Sequence, residues 1–142
     1  MGKLEDFLLQ GDVEKQAETE VVVSARFAEK GKPPMPFKIR GISETENKAI
    51  RAGCRKTTWN KKTRQKEVET DTDMYLNRLI VACTVEPNFK NAQLQAKYGV
   101  MGAEALLDAM LLPGEYSELL QAIQGINGFD QDINELVDEA KN

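Results

Sequence analysis

Apolar and polar positions divide the chain into a stretch that alternates with a period of two and a longer stretch with helical periodicity. The most apolar run is Gly102–Leu112, GAEALLDAMLL. At helical spacing Ala103, Leu106, Leu107, Met110 and Leu111 fall on one face, and Ala105, Ala109 and Leu112 widen it. Its charged residues, Glu104 and Asp108, sit four apart on one narrow stripe. A helix this apolar must be covered on most sides. It is too short to span a bilayer, so the expected cover is protein. The run is expected to be the central helix of a helical core.

N-terminal to it, Lys3–Leu9 reads as a short helix with Leu4, Phe7 and Leu8 on one side, and Gly11–Glu20 reads as a polar linker. Thr19–Phe27 alternates, with Val21, Val23, Ala25 and Phe27 opposite Glu20, Val22, Ser24 and Arg26, which predicts a half-buried strand. Met35–Ile39 alternates again, so the two runs are expected to pair as an antiparallel hairpin around the Glu29–Pro34 loop, with Pro36 demanding an edge position. Ser43 and Glu46 form a capping box that opens a helix whose apolar face is Ala49, Ile50, Gly53 and Cys54. Asp71 or Asp73 caps a helix carrying Leu76, Leu79, Ile80 and Cys83. Asn91 caps a short helix with Leu94 and Tyr98, closed by Gly99. Pro113 opens a helix bearing Tyr116, Leu119, Leu120 and Ile123, and Gly125–Gly128 is a turn. Asp130 caps a last helix with Ile133, Leu136, Val137 and Ala140. The expected fold is α+β, mainly α: a single domain over 1–142, with a β-containing part at 1–42 and a cluster of about five short helices at 43–142.

Composition narrows the chemistry. The chain has no histidine, which removes His-based general bases, Cys-His and Ser-His nucleophile pairs and most zinc sites. Its two cysteines, Cys54 and Cys83, lack CxxC spacing and are expected to be reduced and buried. No phosphate loop, GxGxxG or GxSxG is present. The acidic pairs Glu44/Glu46 and Asp71/Asp73 sit at helix starts, where they suit the helix dipole. The expectation is therefore a non-enzyme with no catalytic residues, cofactor or metal. No signal peptide or transmembrane run is legible.

Against a net charge of −4, Arg51–Lys66 gathers Arg51, Arg55, Lys56, Lys61, Lys62, Arg64 and Lys66 with no acid, around Trp59. This basic arm is expected to be a loose hairpin or mobile arm turning at Asn60–Thr63. Trp59 among cations can stack a base, so a small nucleic-acid-binding regulator is one alternative. The acidic balance of the chain disfavours it. An acidic partner suits the arm better. So does the Glu115–Asn142 end of another copy, with its seven acids and one lysine, which makes head-to-tail self-association an expectation.

Val23–Phe27, Pro36–Arg40 with Ile42-Ser43, Cys83–Phe89, Asn91–Gln95, Tyr98–Val100, Met110–Tyr116, Ile126–Phe129 and Leu136–Asn142 form a set of local patterns. In their order and spacing they resemble the XkdN-like tail assembly chaperones of tailed phages and PBSX-type prophage elements. The resemblance implies a non-catalytic protein of the bacterial host cytoplasm, absent from the mature virion. Such a protein transiently binds the largely helical tape measure protein until tail-tube subunits assemble around it. The resemblance also implies contact with the tail-tube protein where a frameshifted longer product is made. Candidate partner contacts are Phe89, Leu94, Tyr98, Met110, Leu112 and Tyr116, near the ends and turns of the helices. The other alternative is a structural tail or head-completion component that stays in the particle.

Overall fold

The computed structural model describes residues 2–11 and 18–129. The Asp130-capped helix, and most of the linker expected before Glu20, lie outside these residues. Helix α1 spans Lys3–Leu9 and buries none of its residues. Strand β1 is Glu18–Val21 and β2 is Phe37–Arg40, paired antiparallel from Glu18↔Arg40 to Val21↔Phe37. Helix α2 covers Glu44–Ala52, and the Ser43 hydroxyl accepts the Glu46 N–H at 3.2 Å, the N-cap half of the expected capping box. Strands β3 (Arg55–Asn60) and β4 (Gln65–Thr70) form a separate two-stranded sheet. Helix α3 (Thr72–Cys83) begins where the Asp71 carboxylate accepts the Met74 N–H at 3.2 Å. It leads directly into β5, Thr84–Glu86, which pairs with β2 to give the sheet order β1-β2-β5. Helices α4 (Ala92–Lys97), α5 (Ala103–Met110) and α6 (Pro113–Ile126) follow, α4 capped by Asn91 Oδ1. The fold is α+β and mainly helical, as the patterning predicts.

Several expectations change in detail. The strand expected over Thr19–Phe27 ends at Val21, because Val22 turns out to solvent and Arg26 is drawn across to α6. Val23 and Phe27 still point inward, and the Met35 N–H donates to the Phe27 carbonyl at 2.8 Å, so the two runs meet beyond the strand ends. Pro36 does not force β2 to an edge. It stands one residue before the first paired position, so β2 is the middle strand and loses no ladder bond. The strand β5 has no separate signal, because its three residues continue an apolar helix.

Helix α2 turns Asn47 inward, not Ala49 or Gly53, which are exposed. The Asn47 amide donates to Glu44 Oε1 at 2.8 Å and its oxygen accepts the Tyr75 hydroxyl, which joins α2 to α3. Cys54 is buried as expected, but in the link after α2. Helix α6 runs through Ile126, past the start of the turn expected at Gly125.

Helix α3, not α5, holds the central place: α2, α5, α6 and β5 all pack on it. Leu79, Ile80 and Cys83 of α3 are fully buried with Ile39, Leu106, Leu107, Leu119 and Ile123. Each large apolar side chain so buried contributes about 1.5–3 kcal/mol. Helix α5 supplies Leu106, Leu107 and Met110 to this core but leaves Asp108 and Ala109 exposed, so it is open on one side.

Candidate interaction surfaces

The turn between α5 and α6 is built around an ion pair that no local pattern announces. Pro113 sets the first helical turn of α6, and Glu115, two residues on, turns back so that its carboxylate accepts the Leu112 N–H at 2.8 Å. The same carboxylate receives Arg26 through two bonds, Nε at 2.9 Å and Nη2 at 2.6 Å, and Arg26 Nη2 also donates to the Met110 carbonyl at 3.1 Å. The Arg26 guanidinium lies 5.0 Å from the Phe27 ring centroid, and Phe27 stacks obliquely on Phe37 at 5.5 Å. Arg26 first, and the Ser24 hydroxyl second, hold the Glu115 carboxyl down at about 2, against the opposing effect of burial. Glu115 is thus an anchor, charged at every physiological pH.

Around this anchor the sequence candidates separate. Phe89 is 1% exposed and Met110 7%, so both belong to the core. Leu94 is half-buried against that core. Tyr116 is half-buried too, and its hydroxyl donates to Asn77 Oδ1 at 2.6 Å. Burial, with Asp108 and Asp73 nearby, pushes the Tyr116 phenol pKa up, so it stays a neutral donor. Leu112 and Tyr98 remain open, at 55% and 41% exposed. Leu112 is not part of α5: it is the extended residue that caps α6, which is why it faces solvent. Met101, almost fully exposed in the turn between α4 and α5, was not among the candidates, since a lone apolar residue in a loop gives no periodic signal.

The basic arm is an ordered hairpin. Pairing runs from Arg55↔Thr70 to Asn60↔Gln65, and Lys61–Arg64 make the turn. Asn60 Oδ1 accepts the Lys62 and Thr63 N–H groups, and Arg64 takes φ +55°, the left-handed conformation that closes the loop. Its base is tied down: the Asp71 N–H donates to the Cys54 carbonyl, and Arg78 Nη1 reaches the Gly53 carbonyl at 2.8 Å. Arg51 stands apart on α2, 3.9 Å from Glu44. Because same-face residues alternate along a strand, one face of the hairpin carries Arg55, Thr57, Trp59, Lys66, Val68 and Thr70, and the other Lys56, Thr58, Asn60, Gln65, Glu67 and Glu69. The first face has no acid and holds the exposed Trp59 and Val68.

Among the described residues no three acidic or sulfur ligands are placed to share a metal ion, and no helix is long and apolar enough to cross a membrane. Comparison with known proteins adds three findings. The model of the phage XkdN-like tail assembly chaperone family matches residues 4–141. The YqbN protein of Bacillus subtilis (strain 168) is 33% identical over 96% of this chain and 91% of its own length, and the phage-like element PBSX protein XkdN of the same organism is 28% identical over 96% and 92%. A crystal structure of YqbN superposes with a TM-score of 0.71, at 27% identity, covering 87% of this chain and 95% of that one.

Proposed function

The chain belongs to the phage XkdN-like tail assembly chaperone family, and from that premise we propose that it binds the tape measure protein transiently and keeps it soluble during tail assembly. Supporting this reading, large apolar side chains stand uncovered where a helix can pack on them. On α1, Leu4, Phe7, Leu8 and Leu9 are 50–71% exposed, and Leu112 and Tyr98 stand open beside the Arg26–Glu115 anchor. An amphipathic helix lays its apolar stripe on such residues. Among the described residues these anchors are few, which gives modest affinity and suits a partner that must later be released. The proposed site of action is the host cytoplasm. Catalysis has no part in the proposal.

Co-expression of the chain with the tape measure protein tests it. The two are expected to co-purify, and the tape measure protein is expected to aggregate when the chain is left out. A tape measure protein that stays soluble alone and ignores the chain overturns the proposal. Mass spectrometry of purified particles separates it from a structural tail component: a chaperone is absent, a component is retained.

A further inference from the structure

We propose that the acid-free face of the β3–β4 hairpin docks an acidic amphipathic helix of a partner protein, with apolar side chains on Trp59 and Val68 and carboxylates on Arg55 and Lys66. This rests on the reading above, that the chain serves a helical partner, and specifies the chemistry of one contact. Thr57 stands opposite Val68 and Trp59 opposite Lys66, so Trp59 and Val68 are diagonal neighbours, within reach of one another on the pleat. They are 59% and 62% exposed, in a sheet that among the described residues has two strands and no layer over this face. Arg55 and Lys66 stand at opposite ends of the face, and neither has an ion-pair partner among the described residues.

The spacing defines the partner. Successive same-face rungs are about 6.7 Å apart, so Arg55 and Lys66 lie about 13 Å apart along the strands. A helix rising about 1.5 Å per residue matches that span, on one side of its axis, with carboxylates about eight residues apart and apolar residues midway. Lys61, Lys62 and Arg64 at the tip extend the positive field and speed the encounter with an acidic partner. A second copy docking through the same face meets only like charge. A nucleic acid gains one stacking ring but no second, and meets Glu67 and Glu69 on the opposite face of β4, in a chain of net charge −4.

Trp59 is the only tryptophan, so its emission reports on this face alone. The probe is a capped synthetic helical peptide with glutamates eight residues apart and leucines between. Its controls are the same peptide with serine for leucine and a single-stranded oligodeoxynucleotide of equal charge. The leucine peptide is expected to shift Trp59 emission to the blue saturably. The double variant R55E/K66E, changed only at exposed positions, is expected to keep the wild-type circular dichroism spectrum and bind about tenfold or more weaker. No shift, an equal shift with the serine peptide, an unchanged affinity in the double variant, or tighter binding of the oligonucleotide each overturn the proposal. Co-purification with the tape measure protein keeps the two readings apart. If it persists while the peptide fails, the hairpin proposal falls and the chaperone reading stands. If it fails while the peptide binds, the reverse holds.

Discussion

Single side chains here divide into those that hold the fold and those that face outward, and neighbours in sequence fall on opposite sides of the line. Met110→Ala is expected to cost about 2–5 kcal/mol in a denaturant titration, because it empties part of a packed core. Leu112→Ser, two residues on, is expected to change stability by less than about 0.5 kcal/mol. Tyr116→Phe removes the bond to Asn77 and is expected to cost about 0.5–1.5 kcal/mol. Glu115 makes stability depend on acid. Its pKa in the fold, about 2, lies below the ordinary 4.5, so its contribution is complete above that ordinary value and is lost as pH falls towards 2. In Glu115→Gln the fall in melting temperature between pH 4.5 and pH 2 is expected to flatten. The caps at Ser43, Asp71 and Asn91 were legible because a cap is a local bargain between a side chain and the next turn. The Arg26–Glu115 pair was not, since 89 residues separate its partners and only the fold brings them together.

Elements were legible where their period was long enough to repeat. The α3 and α6 stripes, Leu79–Ile80–Cys83 and Leu119–Ile123, were readable because three or four turns display one buried face. Strand β5 was hidden, since three residues cannot show alternation and its pairing depends on β2, which lies far away in sequence. The alternating Thr19–Phe27 run overstated β1 because alternation reports which side chains face in, and the chain satisfies that with an irregular loop after Val21. For the arm, charge was legible but the division of charge between faces was not, because it depends on the register that Arg64 closes. Replacing Arg64 with glycine removes a left-handed side chain and is expected to stabilise the hairpin by up to about 1 kcal/mol. Slower amide hydrogen exchange at the paired β3 and β4 positions, with α3 unchanged, checks this.

For the molecule as a whole, the Ile42 N–H bond to Asn127 Oδ1, at 2.9 Å, joins the exit of β2 to the end of α6 across 85 residues. The β-containing and helical parts are therefore sewn together, and the core cluster draws on both. The outer rim of the three-stranded sheet matters in a different way. Glu18 and Glu20 lie on β1, a strand with one side unpaired in that sheet, and β1 is exposed along most of its length. Carboxylates repeated along an open rim make a second strand of the same kind an unwelcome neighbour. Replacing both with valine is expected to leave the monomer folded yet turn concentrated solutions turbid, which light scattering records. Two glutamates on β1 disfavour edge-to-edge pairing with a second copy, a reticence that suits a member of a tail assembly chaperone family.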